Sequence, residues 1–413
     1  MAKTVFFTLN NFQKEGGGTI RMLGIINELA RHNDEIILMS NIKDKSKVSP
    51  NVQHIALETE FSPEEKRKFQ FLLGAFGYSF LNRAFSRQLE SLRKSFSKLN
   101  SDDKVIFFEY LDNSIGYWLK KNNIIPSYIN DIHGIASNEF IFQRKKAKSL
   151  LSKLFLKVKE KIAMALDKKV FNDAEAIIYA SAAMDDYYKN LYPSLRKKNN
   201  IFLPYVLNNA NVKAPDNDVI QKIKADWGIT DSDFVFLFAG AYKETGGIQD
   251  LMLAFDNIAP EFPEAKLILV GDGPTFENCR TLKESLSSSE RILQMGRQPY
   301  NYLSSFQEIA HVLVCPDRQN LFSDLIVHVK YLDALISGKI VINGSFKSVM
   351  EINSGKKLSL LFKPSDIDDL GHKMKDSIRH YDTLRHEFSD SKQYTLDNLT
   401  YSNYIKNLNN FGH

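Results

Sequence analysis

The stretch FVFLFAGAYKETGGIQDLMLAF (234–255) decides the fold, together with AKLILVGDGP (265–274), RILQMGRQP (291–299), HVLVCP (311–316) and HVKYLDALISGKIVIN (328–343). Each opens on or contains a short apolar run of strand length. The first two runs and RILQM end in a glycine turn, and HVLVC ends in a proline. Between the first two runs, Ile248, Leu251, Phe255 and Ile258 recur at helical spacing, so a helix starts near Gly247. Repeated strand–glycine–helix units predict a nucleotide-binding α/β domain whose ligand lies outside the carboxyl ends of its strands.

The first half repeats the plan. TVFFTL (4–9), EIILMS (35–40), KVIFFEY (104–110), SYINDI (127–132) and AIIYA (176–180) read as buried parallel strands, with helical stretches such as TIRMLGIINELARH between them. In the second half, strands are expected at 234–239, 266–270, 291–295, 312–315, 339–342 and 358–362. The segment 200–218 holds two prolines and several asparagines and reads as a linker. Beyond about residue 365 only helices are expected. The expected class is therefore α/β, with two doubly wound domains.

With 413 residues, 43% hydrophobic and 25% charged, the chain has the composition of a soluble two-domain protein. No apolar run is long enough for a transmembrane helix, and MAKTVFFTLNNF reads as a first strand rather than a secretory leader. Cys279 and Cys315 form neither a disulfide framework nor a metal-ligand spacing, which suits a reducing cytoplasm. The net charge of +5 suits anionic partners. Much of it lies in RKKAKSLLSKLFLKVKEKIAMALDKK (144–169), which reads as one basic amphipathic helix. Leu150, Leu151, Leu154, Phe155, Val158 and Ile162 form its stripe. Such a helix suits an anionic membrane surface or, equally, an ordinary solvated domain face. The aromatic stretch 69–85 adds to the membrane reading. A lysine helix without a basic aromatic groove does not indicate nucleic acid.

Two glycine turns are placed to receive an anion. KEGGGTIRML (14–23) follows the first strand. Gly17 and Gly18 permit close backbone approach, and the helix beginning near Thr19 presents free N–H groups. GAYKETGGIQ (240–249) does the same in the second half: Gly240 opens the turn and Lys243 is a cation beside it. Lys330 lies three residues before Asp333 on one helix face, placed either to reach a phosphate or to pair with Asp333. Asp102–Asp103 is a turn, and no acidic pair has the pattern of a metal site.

These strings resemble the retaining GT-B glycosyltransferases of glycosyltransferase family 4, closely over 234–343, fairly over 158–181 and the first glycine loop. The resemblance implies two Rossmann-like domains facing a central cleft: residues 1–205 for the acceptor, 206–385 for the donor, and 386–413 returning to the first domain. LILVGDGP matches the family's V-G-x-G-P, where Gly271 and Gly273 pass close to base or ribose. Gly296 and Arg297 match the turn that holds the nucleobase edge. KYLDALISGKIVI matches a family pattern in which the acidic residue, here Asp333, accepts both ribose hydroxyls. An earlier acidic position is occupied by Leu325, with Asp324 one residue off and Ser323 beside it; these are the candidates for sugar contact. The family's diphosphate-binding Arg and Lys align with Ala241 and Gly246, so Lys243 is the candidate replacement. His133, just past a strand, stands where relatives carry a histidine beside the transferred sugar, with Asp131 placed to orient it.

What the resemblance implies is transfer from a nucleotide-diphosphate sugar, without metal or other cofactor, to a glycan or lipid-linked acceptor. Anomeric configuration is retained, and the product is a cell-surface polysaccharide or glycolipid. His133, Lys243, Lys330 and Asp324 are then the catalytic candidates. The setting is cytoplasmic, on the inner face of the plasma membrane. Two other readings stand beside it: a catalytically weak nucleotide-sugar-binding or scaffold subunit, motivated by the substituted positions, and a sugar-nucleotide epimerase of the same architecture.

Overall fold

The structure is a computed structural model and describes residues 3–13, 17–32, 35–132, 136–207, 213–320 and 322–409. The chain divides into two compact units, residues 1–205 with 401–413, and residues 206–400.

In the first unit, seven strands form one sheet in the order β3-β2-β1-β4-β5-β6-β7. They are β1 (Thr4–Thr8), β2 (Ile36–Ser40), β3 (Gln53–Ala56), β4 (Lys104–Phe108), β5 (Ile129–Ile132), β6 (Ala176–Tyr179) and β7 (Asn199–Phe202). Every neighbouring pair is parallel. Val5, Phe6, Phe7, Ile106, Phe107 and Phe108 are buried, as expected of strands covered on both faces. The chain winds outward from β1 to β3 and then returns to lay β4 beside β1. That neighbour pair is the switch point at which such sheets open a crevice.

The second unit repeats this with β8 (Phe234–Ala239), β9 (Ala265–Val270), β10 (Ile292–Gly296), β11 (Val312–Cys315), β12 (Ile340–Gly344) and β13 (Leu360–Phe362). Their order is β10-β9-β8-β11-β12-β13, all parallel, and β8 meets β11 at the switch point. Phe236, Phe238, Leu251, Phe255, Leu267, Leu269, Val312 and Ile342 lie at the heart of its core.

The expected α/β class and paired parallel sheets are observed, with three differences of detail. β3 and β7 were not expected, and β7 overlaps the start of the segment read as linker. Both are edge strands paired on one side, and QHIA and NNIF leave every position but Ile201 exposed or part-exposed. The basic stretch is two helices, not one. Ala136–Lys146 ends before Ala147, and Leu150–Asp173 begins at Ser149, whose hydroxyl caps it by accepting from the Ser152 amide. Finally, the chain rejoins the first unit at Tyr401, not at 386. The helix Ser391–Asn398 and the buried Phe388 belong to the second unit's packing.

Candidate functional site

The carboxyl edge of the second sheet is built from turns packed backbone to backbone. The Gly240 amide donates to Val270 O (3.0 Å), the Gly271 amide to Gly296 O (2.8 Å), and the Tyr242 amide to Asp272 O (3.0 Å). Gly271 has φ +132°, and a Cβ there would overlap the carbonyl of Gly240. Gly247 has φ +67° and would collide with the Pro316 carbonyl; it is the residue immediately before the helix Ile248–Ile258. These two glycines are required by position. They bring the turns after β8, β9 and β10 together beside the loop after β11.

Lys330, on the helix Val329–Leu335, reaches this edge. Its ammonium donates to Asp317 Oδ1 at 2.8 Å and lies 5.2 Å from the centre of the Phe238 ring. It pairs with Asp317 and not with Asp333. His328 Nδ1 is 3.1 Å from the same Asp317 oxygen. Burial alone would raise the Asp317 carboxyl. Lys330 and His328 outweigh it and hold the group well below the usual carboxylate range. Lys330 therefore sits as a fixed cation at the switch point, its side chain 18% exposed.

Asp333 is the second element. Its side chain is almost wholly buried, and burial pushes its carboxyl up to about 7, against a hydrogen bond that favours the charged form. That bond comes from Tyr300, whose hydroxyl donates to both carboxyl oxygens at 3.4 and 3.5 Å. Tyr300 stands exposed just past the Gly296–Arg297 turn. A carboxyl with few partners near the switch point of such a sheet suits a pair of vicinal hydroxyls.

The other predicted residues take varied places. Lys243 is exposed on the 240–247 turn and forms no ion pair among the described residues. Arg297 is exposed on the turn after β10. Gly273, at φ +155°, packs against the backbone of Tyr242. Ser323 is fully buried, and its hydroxyl accepts from the Asn320 amide (2.9 Å) inside a tight turn. Asp324 accepts from the Lys347 amide (3.2 Å), at the start of the helix Lys347–Asn353, and from Gln319 (3.0 Å). Leu325 is core. Gly17 and Gly18 open the helix Gly17–His32 at the end of the first unit's loop. His133 lies outside the described residues.

Asp131, read beside His133, is taken up by Arg21. The guanidinium donates to both Asp131 oxygens (3.0 and 2.7 Å) and to the carbonyls of Leu203 and Pro204 (2.7 and 3.1 Å), and lies 4.9 Å from the Tyr205 ring centre. Neither charged side chain has any exposure.

Asp317, His328, Tyr300, Arg21 and the Arg318–Asp250 pair were not among the residues expected at the site. In that pair Arg318 grips Asp250 in a fork (2.5 and 2.6 Å), and its amide donates to Thr245 O, fixing the 244–247 turn. A signal existed for Asp317 and Arg318: a charged dipeptide directly after the apolar VLVCP sits where a strand ends in a crevice. A cleft of about 520 Å³ in the first unit, lined by Phe96, Asp103, Lys120, Lys121 and Pro126, opens beside the amino ends of β4 and β5, away from where such sheets bind ligands. Among the described residues, no three His, Cys, Asp or Glu side chains are grouped to hold a metal ion.

Residues 219–393 match the family model described as Glycosyl transferases group 1. Over 105 residues, 25% of this chain and 25% of the relative, the sequence is 30% identical to N-acetyl-alpha-D-glucosaminyl L-malate synthase of Bacillus anthracis. The curated relatives it matches are spanned over only 25% and 35% of their lengths. Among solved structures, sucrose-phosphate synthase from Thermosynechococcus elongatus is similar with a TM-score of 0.73 at 14% identity, covering 100% of this chain and 98% of that one. HepE of Anabaena, in complex with UDP-glucose, gives 0.71 at 12% identity, covering 100% and 99%. At these identities the likeness is one of fold, and the fold is that of the GT-B glycosyltransferases.

Proposed function

Taking residues 219–393 as a glycosyltransferase group 1 domain, we propose that the protein transfers a sugar from a nucleotide-diphosphate sugar to a glycan or lipid-linked acceptor, with retention of anomeric configuration. The observation that carries this is the convergence of Lys330, fixed by Asp317, with the turns after β8, β9 and β10 and the near-naked carboxyl of Asp333. A cation and a vicinal-diol acceptor on one glycine-built edge match the two ends of a nucleoside diphosphate.

In this reading Asp333 accepts the ribose hydroxyls, and the backbone around Gly271, Gly273 and Gly296 lies along ribose and base. Lys330 bears on the diphosphate, joined by Lys243 and by the free N–H groups that begin the helix Ile248–Ile258. Charge building on the departing diphosphate is met by these fixed groups without a metal ion. Pre-set electrostatics of this kind is the largest lever available to a transferase that carries no covalent intermediate. The acceptor hydroxyl attacks the anomeric carbon on the face the diphosphate leaves, and its proton passes to a departing phosphate oxygen. Acceptor contacts fall to the first unit, with His133 assigned to the transferred sugar and the Gly17–Gly18 turn to an anionic group. The acceptor belongs to surface polysaccharide or glycolipid synthesis, and the protein works on the cytoplasmic face of a membrane.

A panel of nucleotide-sugars, scored by thermal stabilisation and by slow hydrolysis, tests this. One nucleotide series should stabilise the full chain and release its sugar. Stabilisation by none would end the transferase reading, and stabilisation without turnover on any acceptor would favour a binding subunit.

A further inference from the structure

The helix Leu150–Asp173 is divided in its environment. Its second half is seated in the first unit, with Ala163, Leu166, Val170 and Phe171 buried. Its first turns are not seated. Leu150, Leu151, Leu154, Phe155 and Val158 are 84, 81, 61, 57 and 46% exposed. They recur at i, i+1, i+4, i+5 and i+8, so they share one face of the helix. A contiguous apolar face of this kind on a water-soluble unit marks a contact surface.

The charges around it name the partner. From Phe140 to Lys159 the sequence contains no Asp or Glu, and Arg144, Lys145, Lys146, Lys148, Lys153, Lys157 and Lys159 fall within it. Lys153, Lys157 and Lys161 recur at i, i+4 and i+8 along one flank of the apolar face. They are exposed and make no ion pair among the described residues. Lys159 lies on the other flank, its ammonium 4.5 Å from the centre of the Phe155 ring. An apolar stripe bordered by lysines is suited to the boundary between acyl chains and anionic headgroups, where the stems lie flat and the ammonium groups reach phosphate. A protein partner for the same face would need a matching rim of acidic groups on both flanks.

The hairpin partner supports the presentation. Arg144, on the helix Ala136–Lys146, donates to Glu160 at 3.0 Å, so the projecting turns are held at their base. A second aromatic group begins nearby. Gly74, on the helix Pro63–Phe76, packs so closely on Ile162 that a Cβ would stand 2.6 Å from its Cγ2. Two residues on, Phe76 is 62% exposed and pairs with Phe80, 48% exposed, their ring centres 5.2 Å apart.

We infer that the first turns of the helix Leu150–Asp173 dock the first unit on an anionic lipid bilayer, with Leu150, Leu151, Leu154, Phe155 and Val158 entering the interface and Lys153, Lys157, Lys159 and Lys161 meeting the headgroups. The inference rests on the peripheral setting proposed above and gives it a surface. The acceptor class it fits is one presented at that interface, a lipid-linked saccharide rather than a free sugar.

The test is flotation of the full chain, without nucleotide, with phosphatidylcholine vesicles and with vesicles carrying about a quarter phosphatidylglycerol. The expected result is binding to the anionic vesicles, at least about tenfold weaker to the neutral ones and weakened by salt. The double variant Leu154→Ser, Phe155→Ser should lose at least about tenfold, the scale on which one buried leucine or phenylalanine counts. The triple variant Lys153→Gln, Lys157→Gln, Lys161→Gln should bind more weakly and with a flatter salt dependence. Because these side chains are exposed, all variants should keep the wild-type melting curve. Failure of the wild type to float with anionic vesicles would overturn the inference. Unchanged flotation of the double variant would also overturn it, as would a solution dimer of the wild type that the double variant dissolves, which would make a second copy the occupant. Calorimetry of nucleotide binding on the same variants separates the two readings. Lost flotation with intact nucleotide affinity is the expected pattern, and flotation of a chain that binds no nucleotide would sink the transferase reading alone.

Discussion

Each unit carries a buried ion pair near the carboxyl edge of its sheet, and the two pairs are built to opposite ends. Arg21–Asp131 in the first unit is closed: two bonds in a fork, two more to the Leu203 and Pro204 carbonyls, a ring beside the guanidinium and no exposure. Burial alone would lower the pKa of Arg21, yet Asp131 raises it above that of an ordinary arginine. Lys330–Asp317 in the second unit is open: one contact, a ring beneath, and an ammonium partly exposed at the switch point. The first pair gives its four hydrogen bonds to the protein and ties the helix Gly17–His32 and β5 to residues 203–204. The second holds its carboxylate below ground and offers its cation outward. A planar five-donor guanidinium suits the clasp, and a point-charge ammonium suits the presentation of charge to a phosphate.

The contrast can be broken by substitution. The largest effect is expected from Arg21→Met, which leaves Asp131 buried and uncompensated. A loss of about 3–5 kcal/mol should appear in denaturant unfolding of the first unit, with nucleotide affinity unchanged; a fall in nucleotide affinity without loss of stability would mean the clasp belongs to a site. Gly271→Ala comes next. Its φ of +132° and the overlap with the Gly240 carbonyl leave no room for a methyl, so about 2–3 kcal/mol should be lost together with nucleotide binding. Wild-type nucleotide affinity in this variant would remove the turn stack from the site.

Asp333→Ala should weaken nucleotide binding by at least about tenfold, or about 1.4 kcal/mol, read by calorimetry. The sign of its pH dependence follows from the raised carboxyl. In the proposed role the ribose hydroxyls would donate to the ionised form of Asp333, so affinity should fall as pH drops through about 7. Asp333→Asn should flatten that profile; a slope that survives belongs to another group. For stability the sign is reversed: this group's contribution is present at low pH and is lost as pH rises through about 7. The smallest effect is expected from Tyr300→Phe. Removing a hydrogen bond that favours the charged carboxyl should move the midpoint of the affinity profile upward, with only about a two- to threefold change at pH 8. An unmoved midpoint would make Tyr300 a bystander.

Much of the fold was legible because parallel strands covered on both faces read as uninterrupted apolar runs. FVFLFA, AKLILV and HVLVC needed no context. β3 and β7 were not legible, since an edge strand paired on one side tolerates His54, Asn199 and Asn200 and so looks like loop. The break at Ala147–Ser149 was hidden because lysines continue across it, and charge pattern carries no information about a cap. Within the candidate site, Lys330, Asp333 and the glycine turns stand out in the sequence as local motifs, and the structure places Lys330 beside Asp317 and the turns against one another. Asp317 was not tied to Lys330 because the two are thirteen residues apart in sequence and meet only when the loop after β11 folds back. The one-residue offset between Leu325 and Asp324 has a physical setting: Leu325 faces the core, and Asp324 accepts from the backbone at the start of the next helix.

In the proposed function Lys330, held by Asp317, is a diphosphate-binding cation of the second unit. The most direct measurement is calorimetric titration of the full chain with a nucleoside diphosphate and with the matching nucleoside, in wild type and in Lys330→Met. Diphosphate binding should be at least about tenfold weaker in the variant, with nucleoside affinity unchanged. Equal losses for both ligands, or no loss for either, would contradict it.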